Sequence, residues 1–355
     1  MKFPLPFSEI MVYTHSICID NVILTRGDFM SKKEKPIRSV RKIGWKDTLT
    51  YEMMIAPSLI LFLLFTIYPF LTTIYYSFTN YSNNHLFDYK FIGLENYIKL
   101  FTEGVPFEVI GRSFQYAFLM TGFQLLFSVP LAIVLSNRKV KGKGALRTLF
   151  YFPAVISSLI IGYIFSFLFS TSFYGPINNF LQSIGLEKIN FFGDPDIAMY
   201  SVVFTQVWQW TGWAAVIIIA NITSIPQTYY EAATIDGASP MQQFWRITVP
   251  QLYPSISFIV LSSLTGGLKV YDIIVSTTGG GPGESTLTIM GYIMNYGIGA
   301  GALGRGSAFS VVFFIILVVS TGRRRNPTQL RKKYVHLCRK RLGLQQSYGY
   351  GGLQV

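Results

Sequence analysis

The chain of 355 residues is 50% hydrophobic and 16% aromatic but only 13% charged, about half the charged fraction of an ordinary soluble domain. Its formal charge of +13 gathers in short Lys/Arg clusters beside long uncharged stretches, which argues for the basic flanks of membrane segments and against nucleic-acid binding. Cys18, Cys338, His15, His85 and His336 are too scattered to frame a disulfide scaffold or a metal site.

Residues 1–47 read as a cytoplasmic tail. Met30 opens a short basic leader, whereas residues 1–29 hold neither a charge cluster nor a continuous apolar span, so Met30 is a candidate start and 1–29 a candidate non-native extension. A bilayer-crossing helix needs about 20 mainly apolar residues. Six windows come near this: 54–78, 115–136, 148–170, 200–222, 255–276, and a shorter one between Arg305 and Arg323. Pro57, Pro69, Pro130 and Pro153 lie in or beside them and predict kinks rather than breaks, because neighbouring groups inside a membrane can take up the freed carbonyls. Lys269 and Asp272 near the end of the fifth window sit at a helical spacing that allows a pair.

Orientation follows from the flanks. Lys32, Lys33, Lys35, Arg38, Arg41, Lys42 and Lys46 precede the first window, and Arg138, Lys139, Lys141, Lys143 and Arg147 follow the second, which places both segments inside. The loops after the first and third windows mix acidic and basic residues and read as external. The expected fold is an all-α membrane protein, a six-span domain over 48–320 with both termini cytoplasmic, in a bacterial cell membrane.

One loop breaks the pattern. The stretch 222–254 falls on the cytoplasmic side by parity, yet Arg246 is its only basic residue. Pro226 can open a helix that Glu231 to Ile235 continue, and Asp236-Gly237 supplies the turn. Ser239 and Pro240 then form an N-cap and first-turn pair for a second helix with Phe244, Ile247 and Val249 on its apolar side, ended by Pro250. Two short helices at a glycine elbow would present a knob to a partner.

These residues carry a resemblance. Glu231-Ala232-Ala233, Asp236-Gly237-Ala238, Phe244, Ile247 and Pro250 resemble the EAA loop of binding-protein-dependent ABC permeases, in the spacing EAA, three residues, G, nine residues, I, two residues, P. Beyond the fifth window, YDIIVSTTGGGPGEST resembles a segment of the sugar permeases of this class through Tyr271, Asp272, Ile274, Thr278, Gly280, Gly281 and Pro282. It is not a nucleotide-binding loop, because no Lys followed by Ser or Thr comes after the glycines. FIGLENYIKLF (91–101) and YGPINNFLQSIGL (174–186) are similar to external segments of the same class.

The resemblance implies the type I ABC importer permease fold and a subunit that is not itself an enzyme. It further implies a second permease subunit, a cytoplasmic ATPase dimer that binds ATP and Mg, an extracytoplasmic solute-binding protein and a sugar as solute, with no cofactor in this chain. Glu231 would anchor on the ATPase, Ala232 and Ala233 would keep the contact face flat, and Gly237 would permit the turn; equally, Ala233 and Gly237 suffice to shape the helix pair alone. The GGP segment is either a flexible surface loop or a contact for the receptor. Polar groups inside a membrane are functional suspects, so Gln206 and Gln209 with Trp208, Trp210 and Trp213 could bond and stack on a sugar ring. They could as well serve an interfacial belt and helix–helix bonds.

Two other classes compete. An ion-coupled secondary transporter should carry buried acidic residues, and the first four windows hold none; an ABC permease for a solute such as glycerol phosphate shares the architecture. The tail 321–355 is basic without an acidic residue and reads either as a shifted reading frame after about Ser320 or as a tail that binds anionic membrane lipid.

Overall fold

The computed structural model describes residues 45–84, 87–102, 104–137 and 140–322. Both cysteines, the three histidines, the leader before Trp45, Arg138, Lys139 and the tail from Arg323 lie outside these residues. The chain divides into two compact units, one through Phe62 and one from Leu63 onward.

The first unit carries α1 (Trp45–Phe62), helical through Pro57, with exposed apolar side chains such as Leu59 and Phe62. The second unit begins with a wide π turn (Leu63–Ile67) that runs into α2 (Tyr68–Ser77), with Pro69 just after the π turn. There follow α3 (Glu95–Thr102), α4 (Val105–Ser136), α5 (Lys143–Tyr151), α6 (Ser158–Leu168), α7 (Pro176–Ser183) and α8 (Pro195–Ser224). After them come α9 (Gln227–Ile235), α10 (Pro240–Gln243), α11 (Val249–Gln251), α12 (Tyr253–Leu268), α13 (Asp272–Thr277), α14 (Ile289–Tyr292) and α15 (Leu303–Gly322). Among the described residues there is no strand, only an isolated bridge between Thr79 and Phe91.

Four helical runs are long and apolar enough to cross a membrane: Glu52–Ser77, Pro106–Ser136, Pro195–Ser224 and Leu303–Ser320. Two bent pairs bring the number to six if each pair is one span. The third window, 148–170, is therefore not one helix. Lys143–Val155 and Ser158–Leu168 meet at 97°, because Ile156 and Ser157 adopt extended backbone after the 3-10 turn Phe152–Val155. Pro153 lies in a break, not in a kink.

The fifth window, 255–276, is also divided. α12 ends with Lys269 as its C-cap, and a separate helix starts at Asp272 after Tyr271 leaves helical geometry. Lys269 and Asp272 consequently do not share a helix, and they form no ion pair; the ion pairs among the described residues are Glu95–Lys99 and Glu108–Arg112.

α8 is the centre of the second unit and packs most extensively on α4. Apolar packing alone does not drive helices together in lipid; close backbone approach and hydrogen bonds do. Gly212 of α8 shows the first: a Cβ there would lie 1.8 Å from the Phe150 carbonyl oxygen, so only glycine admits the elbow α5 against α8. Gln209 shows the second. Its Nε2 donates to the Ile156 carbonyl at 2.8 Å and its Oε1 accepts from the Ser158 hydroxyl at 3.1 Å, satisfying groups that the 97° break sets free.

Two of the short helices act as caps. Asn96 of α3 donates to the carbonyls of Ser77 and Thr79 beyond α2, and Asn178 of α7 donates to the carbonyls of Phe169 and Ser170 that close α6.

Candidate functional site

Two arrangements stand out, a knob between α8 and α12 and a cavity walled by the same two helices. In the knob, α9 ends in a Schellman motif: Ala238 N–H donates to Ala233 O at 2.9 Å and Gly237 N–H to Thr234 O at 3.0 Å. Gly237 occupies the left-handed position with φ +77, which a side chain would strain. α10 opens with a capping box, in which the Ser239 hydroxyl accepts from Gln242 N–H and the Gln242 side chain accepts from Ser239 N–H. Gln243 then bonds both Thr234 and Ala238, and Tyr230 shares a 2.8 Å bond with Thr248, so the helix pair is internally braced. Pro250 does not end the second helix; helical backbone runs on through α11, and the chain bends by 53° into α12.

Glu231, Ala232, Asp236, Gly237 and Pro250 are exposed on this knob, while Ala233, Ala238, Phe244 and Ile247 are partly covered. Four apolar residues that sequence reasoning passed over stand out beside them: Tyr229, Ile235, Met241 and Trp245, with Ile235 86% exposed. Their signal was available in principle, as apolar side chains on the solvent side of short capped helices, a pattern that marks a partner surface.

The cavity holds about 310 Å³ between α4, α8 and α12. Gln206, Trp210 and Trp213 reach it from α8 at i, i+4 and i+7, Tyr116, Met120 and Gln124 from α4, and Ser262, Ser263 and Gly266 from α12. Gln124 is spoken for: it donates to the Trp210 carbonyl at 3.0 Å and accepts from the Ser263 hydroxyl at 2.6 Å. The Tyr116 hydroxyl and the Gln206 carboxamide oxygen are different, both buried and without a hydrogen-bond partner in the protein. Orphaned polar groups of this kind cost stability unless something else meets them. Trp210 and Trp213 present aromatic surface beside them in an edge-to-face pair.

Of the five sequence candidates on α8, the fold thus brings Gln206, Trp210 and Trp213 to the cavity. Gln209 is fully buried at the elbow, and Trp208 turns to the far side of α8, where its ring meets Phe165. Tyr116 was missed because a lone tyrosine in an apolar run looks like core.

The GGP segment is knitted rather than loose. Thr278 and Thr286 hydroxyls lie 2.7 Å apart, Thr286 also donates to Gly281 O, and Thr288 donates to Val270 O. Thr286 and Thr288 are fully buried, while Gly280 is buried and Pro282 half-buried. Tyr271 and Asp272 open α13 on the near side of the turn. Glu284 holds a left-handed backbone, φ 64, and its carboxylate accepts a short hydrogen bond from the Tyr296 hydroxyl. That bond, followed by burial and the carboxylate charge, raises the Tyr296 pKa above its ordinary value.

Residues 128–323, more than half of the chain, match the family described as "Binding-protein-dependent transport system inner membrane component". The chain belongs to that family. Among similar permeases, the probable ABC transporter permease protein YurN of Bacillus subtilis is 34% identical over 74% of this chain and 90% of its own length. The multiple sugar-binding transport system permease protein MsmF of Streptococcus mutans is 32% identical over 79% and 94%. In structure the permease resembles a chain of a bacterial ABC transporter involved in the import of the acidic polysaccharide alginate, with 25% identity, a TM-score of 0.64, and coverage of 79% of this chain and 97% of that one. The matched region contains the knob and the α8 and α12 walls of the cavity, so a membrane component of a transport system is the setting for both.

Proposed function

We propose that this permease takes up a carbohydrate as one of two transmembrane subunits of an ATP-driven importer, and that the 310 Å³ cavity holds part of the sugar in transit. The observation that carries the reading is the pair of orphaned groups, the Tyr116 hydroxyl and the Gln206 oxygen, beside the indoles of Trp210 and Trp213. A sugar offers hydroxyls to both and a C–H face to the rings. The cavity lining contains no cation, which disfavours a phosphorylated solute such as glycerol phosphate. The name of the related MsmF protein supports a sugar.

The coupling follows from connectivity. The knob of α9 and α10 leads directly into α8 on one side and through α11 into α12 on the other, the two helices that supply Gln206, Trp210 and Ser263 to the cavity. A cytoplasmic ATPase dimer, which binds ATP and Mg, grips the knob through Glu231, Ala232 and the exposed Ile235 and Met241. Closing on ATP, it rocks the cavity walls against those of the second permease. An extracytoplasmic binding protein delivers the sugar at the opposite face, near the GGP turn, with both termini of this chain inside the cell.

The test is co-expression with a candidate ATPase and binding protein, purification and reconstitution. A stable complex with sugar-stimulated ATP hydrolysis supports the reading, and ion-driven uptake without an ATPase would replace it with a secondary transporter.

A further inference from the structure

α8 has a second working face. Trp208 and Thr211 point away from the solute cavity and line a groove of about 550 Å³, together with Phe127 and Leu131 of α4 and Phe150 and Phe152 of the elbow. Polar groups on its walls are few, and the Thr211 hydroxyl is already bonded to Val207 O. Charge stands at one end. Lys143, Arg147 and Phe150 fall at i, i+4 and i+7 on one face of α5, with exposed Lys141 just before the helix. Arg147 donates from Nη2 to Leu135 O at 2.8 Å, one turn of α4 beyond groove-lining Leu131, while its buried Nε has no hydrogen-bond partner.

We propose that this groove and its basic rim form a binding site for one anionic phospholipid, with an acyl chain along Phe150 and Trp208 and the phosphate at Arg147 and Lys143. The elbow supports it: α5 meets α6 at 97°, so where α6 follows the membrane normal α5 lies along the interface, with cations toward the headgroups and aromatics toward the chains. Charge decides the occupant. An apolar helix of another subunit would fill the groove and leave the basic rim of Lys141 and Lys143 without a counter-charge, whereas a lipid meets both, its chain in the groove and its phosphate at the rim. The site is separate from the solute cavity and does not depend on what that cavity carries.

Full-length protein in phosphatidylcholine vesicles, doped with phosphatidylglycerol brominated on its acyl chains, reads the site through quenching of Trp208. Wild type should be quenched at a lower mole fraction of brominated phosphatidylglycerol than of brominated phosphatidylcholine, with about a fivefold preference per lysine. Trp208→Phe should lose the quenched component. Lys141→Gln with Lys143→Gln leaves the Arg147 bond to α4 in place and should lose most of the preference. Equal quenching of wild type by both lipids, a preference unchanged in the double variant, or no Trp208 quenching by either lipid would each overturn the proposal, the last by showing that protein covers the groove.

Discussion

The Ser263 hydroxyl donates to the Gln124 carboxamide oxygen at 2.6 Å across 139 positions of chain, and the same carboxamide donates to the Trp210 carbonyl. One side chain therefore ties α4, α8 and α12 together at the wall of the cavity. Gln124→Leu should leave a hydroxyl and a carbonyl unmet and cost about 1–3 kcal/mol, against about 1 for Ser263→Ala. Thermal unfolding of the detergent-solubilised variants checks the order.

The neighbouring orphaned groups should behave in the opposite sense. Tyr116→Phe and Gln206→Leu remove polar atoms that find no partner in the protein, so stability should hold or rise while sugar uptake falls. Melting and uptake measured on the same preparations separate a solute contact from a structural bond. Loss of both together would make these groups part of the scaffold.

At the elbow, Gln209→Leu should free the Ile156 carbonyl and the Ser158 hydroxyl and cost about 1–3 kcal/mol. Hydrogen exchange should rise at 156–158 before it rises in α8. Protection unchanged there would deny Gln209 its role as the staple.

On the knob, Gly237→Ala forces a methyl into a left-handed position, φ +77, at about 1–2 kcal/mol. Ile235→Ser leaves the backbone as it is and removes an 86% exposed apolar side chain. Ile235→Ser should weaken co-purification with the ATPase without lowering the melting temperature. Retention equal to wild type would move the contact elsewhere.

The Glu284–Tyr296 bond carries a pH signature. Because Tyr296 is raised above 10.0 in the folded chain, its bond contributes fully below the ordinary tyrosine value. The contribution falls as pH rises from there and is gone above the raised value. Glu284→Gln should bring Tyr296 back toward 10.0, read as tyrosinate absorbance against Tyr296→Phe.

How much was legible before the fold depended on how local each signal is. The knob could be read almost residue by residue, since Ser239 capping, Pro240 and Gly237 act within one or two turns. Four of the windows could be read because hydropathy over a long helix survives any packing. The breaks after Val155 and Lys269 could not, because a chain inside a membrane breaks only where a distant partner meets the freed groups, and Gln209 meets Ile156 across 53 positions. The cavity divided the α8 candidates for the same reason. Gln206 and Gln209 are alike in sequence, and only the orientation of α8 gives one a bond to the elbow and sets the other in the cavity wall with its oxygen unpartnered.

Sugar uptake by proteoliposomes that contain the assembled importer, with its binding protein and ATP, tests the central claim most directly when wild type is compared with the Tyr116→Phe/Gln206→Leu double variant. The cavity reading predicts that the variant assembles, keeps its basal ATP hydrolysis, and loses uptake by tenfold or more, the order of two hydrogen bonds at about 0.5–1.5 kcal/mol each. Uptake at the wild-type rate would contradict it.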